Sequence, residues 1–209
     1  MAIEQLIFDL GGVIINIDYN LTAVAFKHLG MKDFDAIYSK AKQDNLFDEF
    51  EKGNISNAAF RNRLKEHLPE GTSDEQIDKA WNSMLINIPS HRVEWLQKLS
   101  KQYRIFLLSN TNRIHIKAFT AITDLQFGKG VFEATFEQHY YSCENGMRKP
   151  DAEVFEKLLN DNHLDRTKTL FIDDSIQHIE GARKINLLAE WLQVEKGETI
   201  ETKYASLLK

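Results

Sequence analysis

Three short apolar runs stand out along the chain, and each stops abruptly at a polar cluster. Residues 3–8 end at Asp9-Leu10-Gly11-Gly12, residues 105–108 at Ser109-Asn110-Thr111-Asn112, and residues 170–172 at Asp173-Asp174-Ser175. A brief apolar run bounded by turn-forming residues is the pattern of a buried strand meeting a loop. Weaker strands are expected over 140–142 and 189–194. Between most of these lie helical stretches. One spans 152–159, opened by Pro150 and Asp151, and another spans 176–185, where Ile179, Ala182 and Ile185 share one face. Such alternation predicts an α/β fold, a Rossmann-like parallel sheet with helices on both sides.

The stretch 19–88 has a different texture. It offers no convincing strand and instead successive amphipathic helices over 21–29, 34–42, 57–68 and 74–85. Thr72-Ser73-Asp74-Glu75-Gln76 contains two overlapping capping boxes at the start of the last one. A helical block inserted after the first strand predicts a cap on an α/β core. The expected division is a core of residues 1–18 and 89–209 and a helical cap of residues 19–88. No internal repeat or low-complexity segment interrupts this plan.

Composition narrows the class without naming a function. With 209 residues, 43% hydrophobic and 27% charged, the chain can bury one core and a modest insertion. A net charge of -5 and the lack of a Lys/Arg-rich run exclude nucleic acid and membrane surfaces as expected partners. No apolar run is long enough to span a bilayer, and residues 1–8 lack the charged and apolar regions of a signal peptide. The single Cys143 suits a reducing compartment, so a cytoplasmic protein with no obligate protein partner is expected.

The polar clusters carry the chemistry. In an open parallel sheet, ligands bind outside the carboxyl ends of the strands. Asp9, then Ser109 with Asn110, then Asp173 with Asp174 would therefore face one crevice. Gly11 and Gly12 allow close backbone approach to a ligand. Lys149, in Gly146-Met147-Arg148-Lys149-Pro150, sits just before a helix start, where a cation is favoured only if an anion such as phosphate offsets it. Each piece alone has a plainer explanation. An Asp after a strand is more often a turn former or helix cap, Ser109-Asn110 is ordinary loop chemistry, and Arg148-Lys149 reads as a solvated pair. Trp81, Trp95 and Trp191 read as core anchors, Asp18 as a helix cap, and the seven His residues show no metal-ligand spacing on one helix. It is the four polar clusters in fixed order that point to a site.

Phe8-Asp9-Leu10-Gly11-Gly12-Val13, Leu108-Ser109-Asn110, Arg148-Lys149-Pro150 and Phe171-Ile172-Asp173-Asp174 resemble the four motifs of the haloacid dehalogenase-like hydrolases. In finer detail Ile17-Asp18, the run 109–113, the run 146–150 and Ile179-Glu180-Gly181-Ala182 resemble the bacterial α-glucose-1-phosphate phosphatase branch. The resemblance implies a core strand order 5-4-1-2-3 and a Mg²⁺-dependent phosphatase working through an aspartyl-phosphate. It implies Asp9 as nucleophile, Mg²⁺ held by Asp9, the Gly11 carbonyl and Asp174 with Asp173 close by, and Ser109, Asn110 and Lys149 on the phosphoryl oxygens. The substrate it implies is a small phosphate ester, a sugar phosphate such as glucose 1-phosphate. One departure stands out: most phosphatases of this superfamily carry a second Asp two residues after the nucleophile, and here that position is Gly11, as in the glucose-1-phosphatase-like branch it resembles. A 2-haloacid dehalogenase and a phosphate-binding module that has lost turnover are the alternatives; the paired Asp173-Asp174 speaks against the first, because a metal-free dehalogenase has no use for it.

Overall fold

The structure, a computed structural model, describes residues 2–32, 34, 36–37 and 45–208. Its strands are β1 (Gln5–Phe8), β2 (Asn16–Ile17), β3 (Leu85–Asn87), β4 (Arg104–Ser109), β5 (Gln138–Tyr141), β6 (Thr169–Asp173) and β7 (Leu188–Trp191). Its helices are α1 (Tyr19–His28), α2 (Leu46–Glu51), α3 (Asn57–Lys65), α4 (Asp74–Trp81), α5 (Ser90–Leu99), α6 (Arg113–Phe127), α7 (Ser142–Asn145), α8 (Ala152–Asp161), α9 (Ile176–Lys184) and α10 (Ile200–Lys203).

Five strands form a parallel sheet in the order β7-β6-β1-β4-β5. Counting only these core strands along the chain, this is 5-4-1-2-3. The apolar runs lack alternation because both faces of the central strands are covered. Leu6, Phe8, Ile105, Leu107, Leu170 and Ile172 point into one apolar cluster, which α5 closes with Leu96 and Leu99 and α6 with Phe119. Their neighbours Ile7, Phe106, Leu108 and Phe171 point into a second cluster, filled from α8 by Phe155 and Leu158 and from α9 by Ile179. The two-residue period of a strand sorts one continuous run onto two faces.

The helical block has an apolar cluster of its own, including Phe26, Phe50, Phe60, Ile77 and Trp81. Phe50 and Phe60 stack with ring centroids 4.0 Å apart. Ile114, at the start of α6, joins this cluster, so a core helix reaches into the block. Asp18 does cap α1, accepting from the Asn20 N–H at 2.9 Å. The helix expected over 34–42 lies largely outside the described residues.

Three expectations need correction. The stretch 19–88 does contain a strand: β3 pairs antiparallel with β2, forming a ribbon where the chain enters and leaves the block. Elements of two and three residues, with polar Asn16 and Asn87 among the five, carry no period to detect. Of the two overlapping capping boxes only Ser73 with Gln76 forms; the Thr72 hydroxyl instead donates to the Pro69 carbonyl at 2.7 Å. Trp81 and Trp95 are buried, but Trp191 is 38% exposed and is no core anchor. It ends the edge strand β7, and its indole N–H donates to the Asp174 carbonyl at 2.9 Å.

Candidate active site

The central position of β1 brings the polar clusters together. β1 hydrogen-bonds β4 on one side and β6 on the other, so Asp9, Ser109 and Asp173 leave the sheet at adjacent strand ends. The Asp9 N–H donates to the Ile172 carbonyl at 3.0 Å, which extends the ladder one residue beyond β1. Oxygens of Asp9, Asp173 and Asp174 all lie within 4.8 Å of one another. Gly12 makes room for this: its φ is +75°, and a Cβ there would lie 2.1 Å from Asp174 Oδ2.

Lys149 arrives from the loop between α7 and α8. The Asn110 side chain clamps its backbone twice, accepting from the Lys149 N–H at 2.9 Å and donating to its carbonyl at 2.8 Å. Pro150 packs against α9 at Gly181, where a Cβ would lie 2.4 Å from the Pro150 carbonyl oxygen. So held, Lys149 is fully buried and donates from Nζ to Asp9 Oδ1 and Asp173 Oδ2, both at 2.6 Å. The solvated-pair reading of Arg148-Lys149 is wrong, and the anion that offsets this cation is supplied by carboxylates of the protein. Asp173 and Asp174 are not simple helix caps either: α9 is N-capped by Ser175 without a side-chain bond. Asp173 Oδ1 accepts from the Ser175 N–H at 2.7 Å, and His178 Nδ1 lies 3.0 Å from both Asp173 oxygens.

Three carboxylates share one buried ammonium, and the charges divide unequally. Burial, then the nearby Asp173 and Asp174, push the Asp9 carboxyl up to about 7 against the pull of Lys149. Burial and Asp173 likewise push Asp174 up to about 6. Asp173 goes the other way: burial raises it, but Lys149 and His178 outweigh this and hold it at about 2. Asp9 and Asp173 lie equally close to Lys149, yet only Asp173 also accepts from a backbone N–H and faces His178, so it stays ionised. The cluster is therefore short of positive charge on the Asp9–Asp174 side. All-oxygen donors around that deficit fit a hard divalent cation of the Mg²⁺ type.

The site opens into a cleft of about 370 Å³ lined by Asp9, Gly11, Asn110 and Asp174 from the motifs and by residues the motif reading passed over. These include Tyr19 at the start of α1, Glu51 at the end of α2, and His178 on α9. Arg148 also lines it, ion-paired with Asp48 and, at 2.8 Å, with Glu51. No sequence signal marks Glu51 or Asp48, because only the tertiary fold sets α2 against the Lys149 loop. His178 could have been suspected, since it lies five residues after Asp173, one turn into α9. Ser109 is buried at the end of β4, next to Asn110.

Known proteins resemble this chain in sequence and fold. The family model described as haloacid dehalogenase-like hydrolase matches residues 3–186. The chain belongs to that family and is a hydrolase of its α/β fold. It is 30% identical over 195 residues, 93% of each chain, to a D-ribitol-5-phosphate phosphatase of Bacteroides thetaiotaomicron. A crystal structure of a HAD family enzyme from the same organism superimposes with a TM-score of 0.90 at 35% identity, covering 98% of this chain and 99% of that one. The same enzyme in complex with magnesium and inorganic phosphate superimposes at 0.85 with 36% identity, covering 92% of this chain and 95% of that one. L-2-haloacid dehalogenase of Xanthobacter autotrophicus, at 15% identity and a TM-score of 0.60 over 91% of this chain and 77% of that one, shares the fold alone.

Proposed function

We propose that the protein is a Mg²⁺-dependent phosphatase of a small phosphorylated metabolite, a sugar or sugar-alcohol phosphate, acting through an aspartyl-phosphate on Asp9. The observation that carries this reading is Asp9 itself: one carboxylate held by a fully buried Lys149, beside two more carboxylates, at the floor of an open cleft. An Asp9 oxygen attacks phosphorus and the ester P–O bond breaks, the leaving oxygen taking a proton from water to depart as the alcohol. Water then attacks phosphorus, releasing inorganic phosphate and restoring the carboxylate. Lys149 has three N–H donors and uses two on Asp9 and Asp173, so the third is left for a phosphoryl oxygen. The Ser109 hydroxyl and the Asn110 N–H serve the other equatorial oxygens. Asp9, Asp174 and the Gly11 carbonyl would hold Mg²⁺, with Asp173 positioning Lys149 and the following loop. Bound there, the cation would neutralise carboxylate and phosphate charge and orient the ester.

The helical block, residues 19–88, acts as the cap that closes over the alcohol half of the substrate, in a cytoplasmic enzyme. Two candidates for that alcohol follow from different observations. The motif resemblance favours glucose 1-phosphate, and an acidic anomeric leaving group suits a site with Gly11 in place of an acid. The 30% identical relative favours an alditol phosphate such as D-ribitol 5-phosphate. A dehalogenase reading is disfavoured by the three-carboxylate cluster.

The test is release of inorganic phosphate from sugar 1-phosphates, sugar 6-phosphates and alditol phosphates, with Mg²⁺, with Ca²⁺ and with excess chelator. Mg²⁺-dependent turnover that chelation abolishes and Ca²⁺ does not restore is expected. Turnover in chelator, or halide release from 2-haloacids, overturns the reading.

A further inference from the structure

The phosphate end of the cleft is built from core strands, but Glu51 enters the same cleft from the helical block. It is the last residue of α2, and its position is fixed by the turn that follows. Gly53, with φ +73°, sits against the Cys143 carbonyl oxygen, 2.2 Å from where a Cβ would be. No side chain fits there, so the end of α2 rests directly on α7.

The Glu51 carboxylate is under-used. Its Oε2 is buried and lies 2.8 Å from Arg148 Nη2, yet outside hydrogen-bond geometry, and accepts no hydrogen bond. Arg148 is shared with Asp48 on the preceding turn, so one guanidinium serves two carboxylates. An ionised carboxylate can accept about four hydrogen bonds, and burying it without them is unfavourable. Burial accordingly pushes its carboxyl above the ordinary range, although Arg148 pulls it down. Oε2 is closed off by the protein, but the side chain as a whole is 26% exposed and lines the cleft. The part of the carboxylate that faces the cleft is therefore where a ligand can bring donors. A phosphate dianion cannot be that partner, because like charges repel. Uncharged hydroxyl groups can.

Building on the phosphatase reading, we propose that Glu51 is the specificity-determining residue of this enzyme, accepting hydrogen bonds from hydroxyl groups of a neutral, polyhydroxylated leaving group. The substrate end next to Glu51 then carries several hydroxyls and no second anionic group. Arg148 pairs with Glu51 at 2.8 Å, and Asp48 is a second, separate partner of the same guanidinium.

The experiment compares kcat/KM for a pentitol 5-phosphate with that for n-pentyl phosphate, which has the same chain length and no other hydroxyl. The wild type should favour the pentitol ester by about tenfold or more, the worth of hydrogen bonds to a charged acceptor. Glu51→Gln keeps the shape but trades acceptor charge for an amide, and should lower that ratio by about tenfold. Asp48→Asn, which disturbs Arg148 equally but leaves Glu51, should keep the ratio within about threefold. Thermal melts accompany each variant. Should Glu51→Gln not fold, the wild-type ratio and Glu51→Asp decide, the latter with an acceptor retracted by one methylene. A wild-type ratio near one, a Glu51→Gln ratio equal to wild type, or equal falls in both variants overturns the assignment. Hydrolysis of neither ester, nor of any other, overturns the phosphatase reading beneath it.

Discussion

Lys149 Nζ lies 2.6 Å from Asp9 Oδ1, a contact made 140 residues apart in sequence and wholly out of solvent on the lysine side. Burial alone would push the ammonium towards its neutral form, but Asp173 and Asp9 outweigh it and raise the group above its ordinary value. The lysine is therefore charged in the folded protein, and two carboxylates depend on that charge.

Replacing Lys149 by Met should show how far they depend on it. Removing one partner of a buried ion pair leaves the other uncompensated, at a cost of about 3–5 kcal/mol. Urea unfolding should shift by that order without divalent cation, and Mg²⁺ should restore part of the loss by neutralising the same carboxylates. Unchanged unfolding together with wild-type turnover would remove Lys149 from both the scaffold and the chemistry.

Asp9→Asn should separate activity from stability. The amide is close to isosteric but a poor nucleophile, so turnover should fall by about a thousandfold or more. Because Asp9 is already pushed up to about 7 by burial and its acidic neighbours, losing its charge relieves repulsion. The metal-free variant should thus melt no lower than the wild type, while its stabilisation by Mg²⁺ should shrink. A much less stable variant would mean that Asp9 is chiefly a structural partner of Lys149.

Adjacent glycines should respond in opposite ways. Gly12 needs a positive φ of +75° and a Cβ would sit 2.1 Å from Asp174 Oδ2, so Gly12→Ala should cost about 1–3 kcal/mol and weaken Mg²⁺ binding. Gly11 has no such backbone demand, and its Cβ would meet only the tip of Ile17 at 3.2 Å. Gly11→Asp should fold, and by adding an acid near the leaving oxygen it should flatten the dependence of kcat on leaving-group basicity. The check is a graded ester series alongside melting curves; equal slopes in wild type and variant would mean the proton already comes from elsewhere.

His115 should make the protein acid-sensitive. It is buried between core and helical block, stacked on Trp81 at 5.2 Å with Nδ1 2.8 Å from Asn82 Oδ1, and burial pushes it down to about 3. The unfolded chain, with an ordinary value near 6.5, takes up a proton that the folded one refuses. The stability due to neutral His115 is full above that value and falls as the pH drops towards 3, by up to about 1.4 kcal/mol per unit. Urea unfolding at pH 7 and pH 5 should show a smaller acid loss in His115→Phe, which keeps the stack on Trp81. Identical pH dependence in the two proteins would acquit His115.

Much of this was legible along the chain. Apolar runs ending in Asp9, Ser109 and Asp173 located three strands to within two residues, since strands covered on both faces need uninterrupted apolar sequence. The order of polar clusters brought out Lys149, Asn110 and Asp174 as well. Where the signal was local and short it failed. β2 and β3 together hold five residues and owe their pairing to each other, and Trp191 is no core anchor because an edge strand leaves one flank open to solvent.

What the sequence determined by itself was the chemistry available at each strand end, because period and turn residues act over a few neighbouring positions. The tertiary structure alone decided who shares a proton or a charge with whom. Lys149 meets Asp9 and Asp173 across gaps of 140 and 24 residues, and Arg148 meets Asp48 across 100. Such pairings depend on sheet order and on where α2 comes to rest. Electrostatic interactions act through space with no regard to chain separation, and so they leave no period in the sequence.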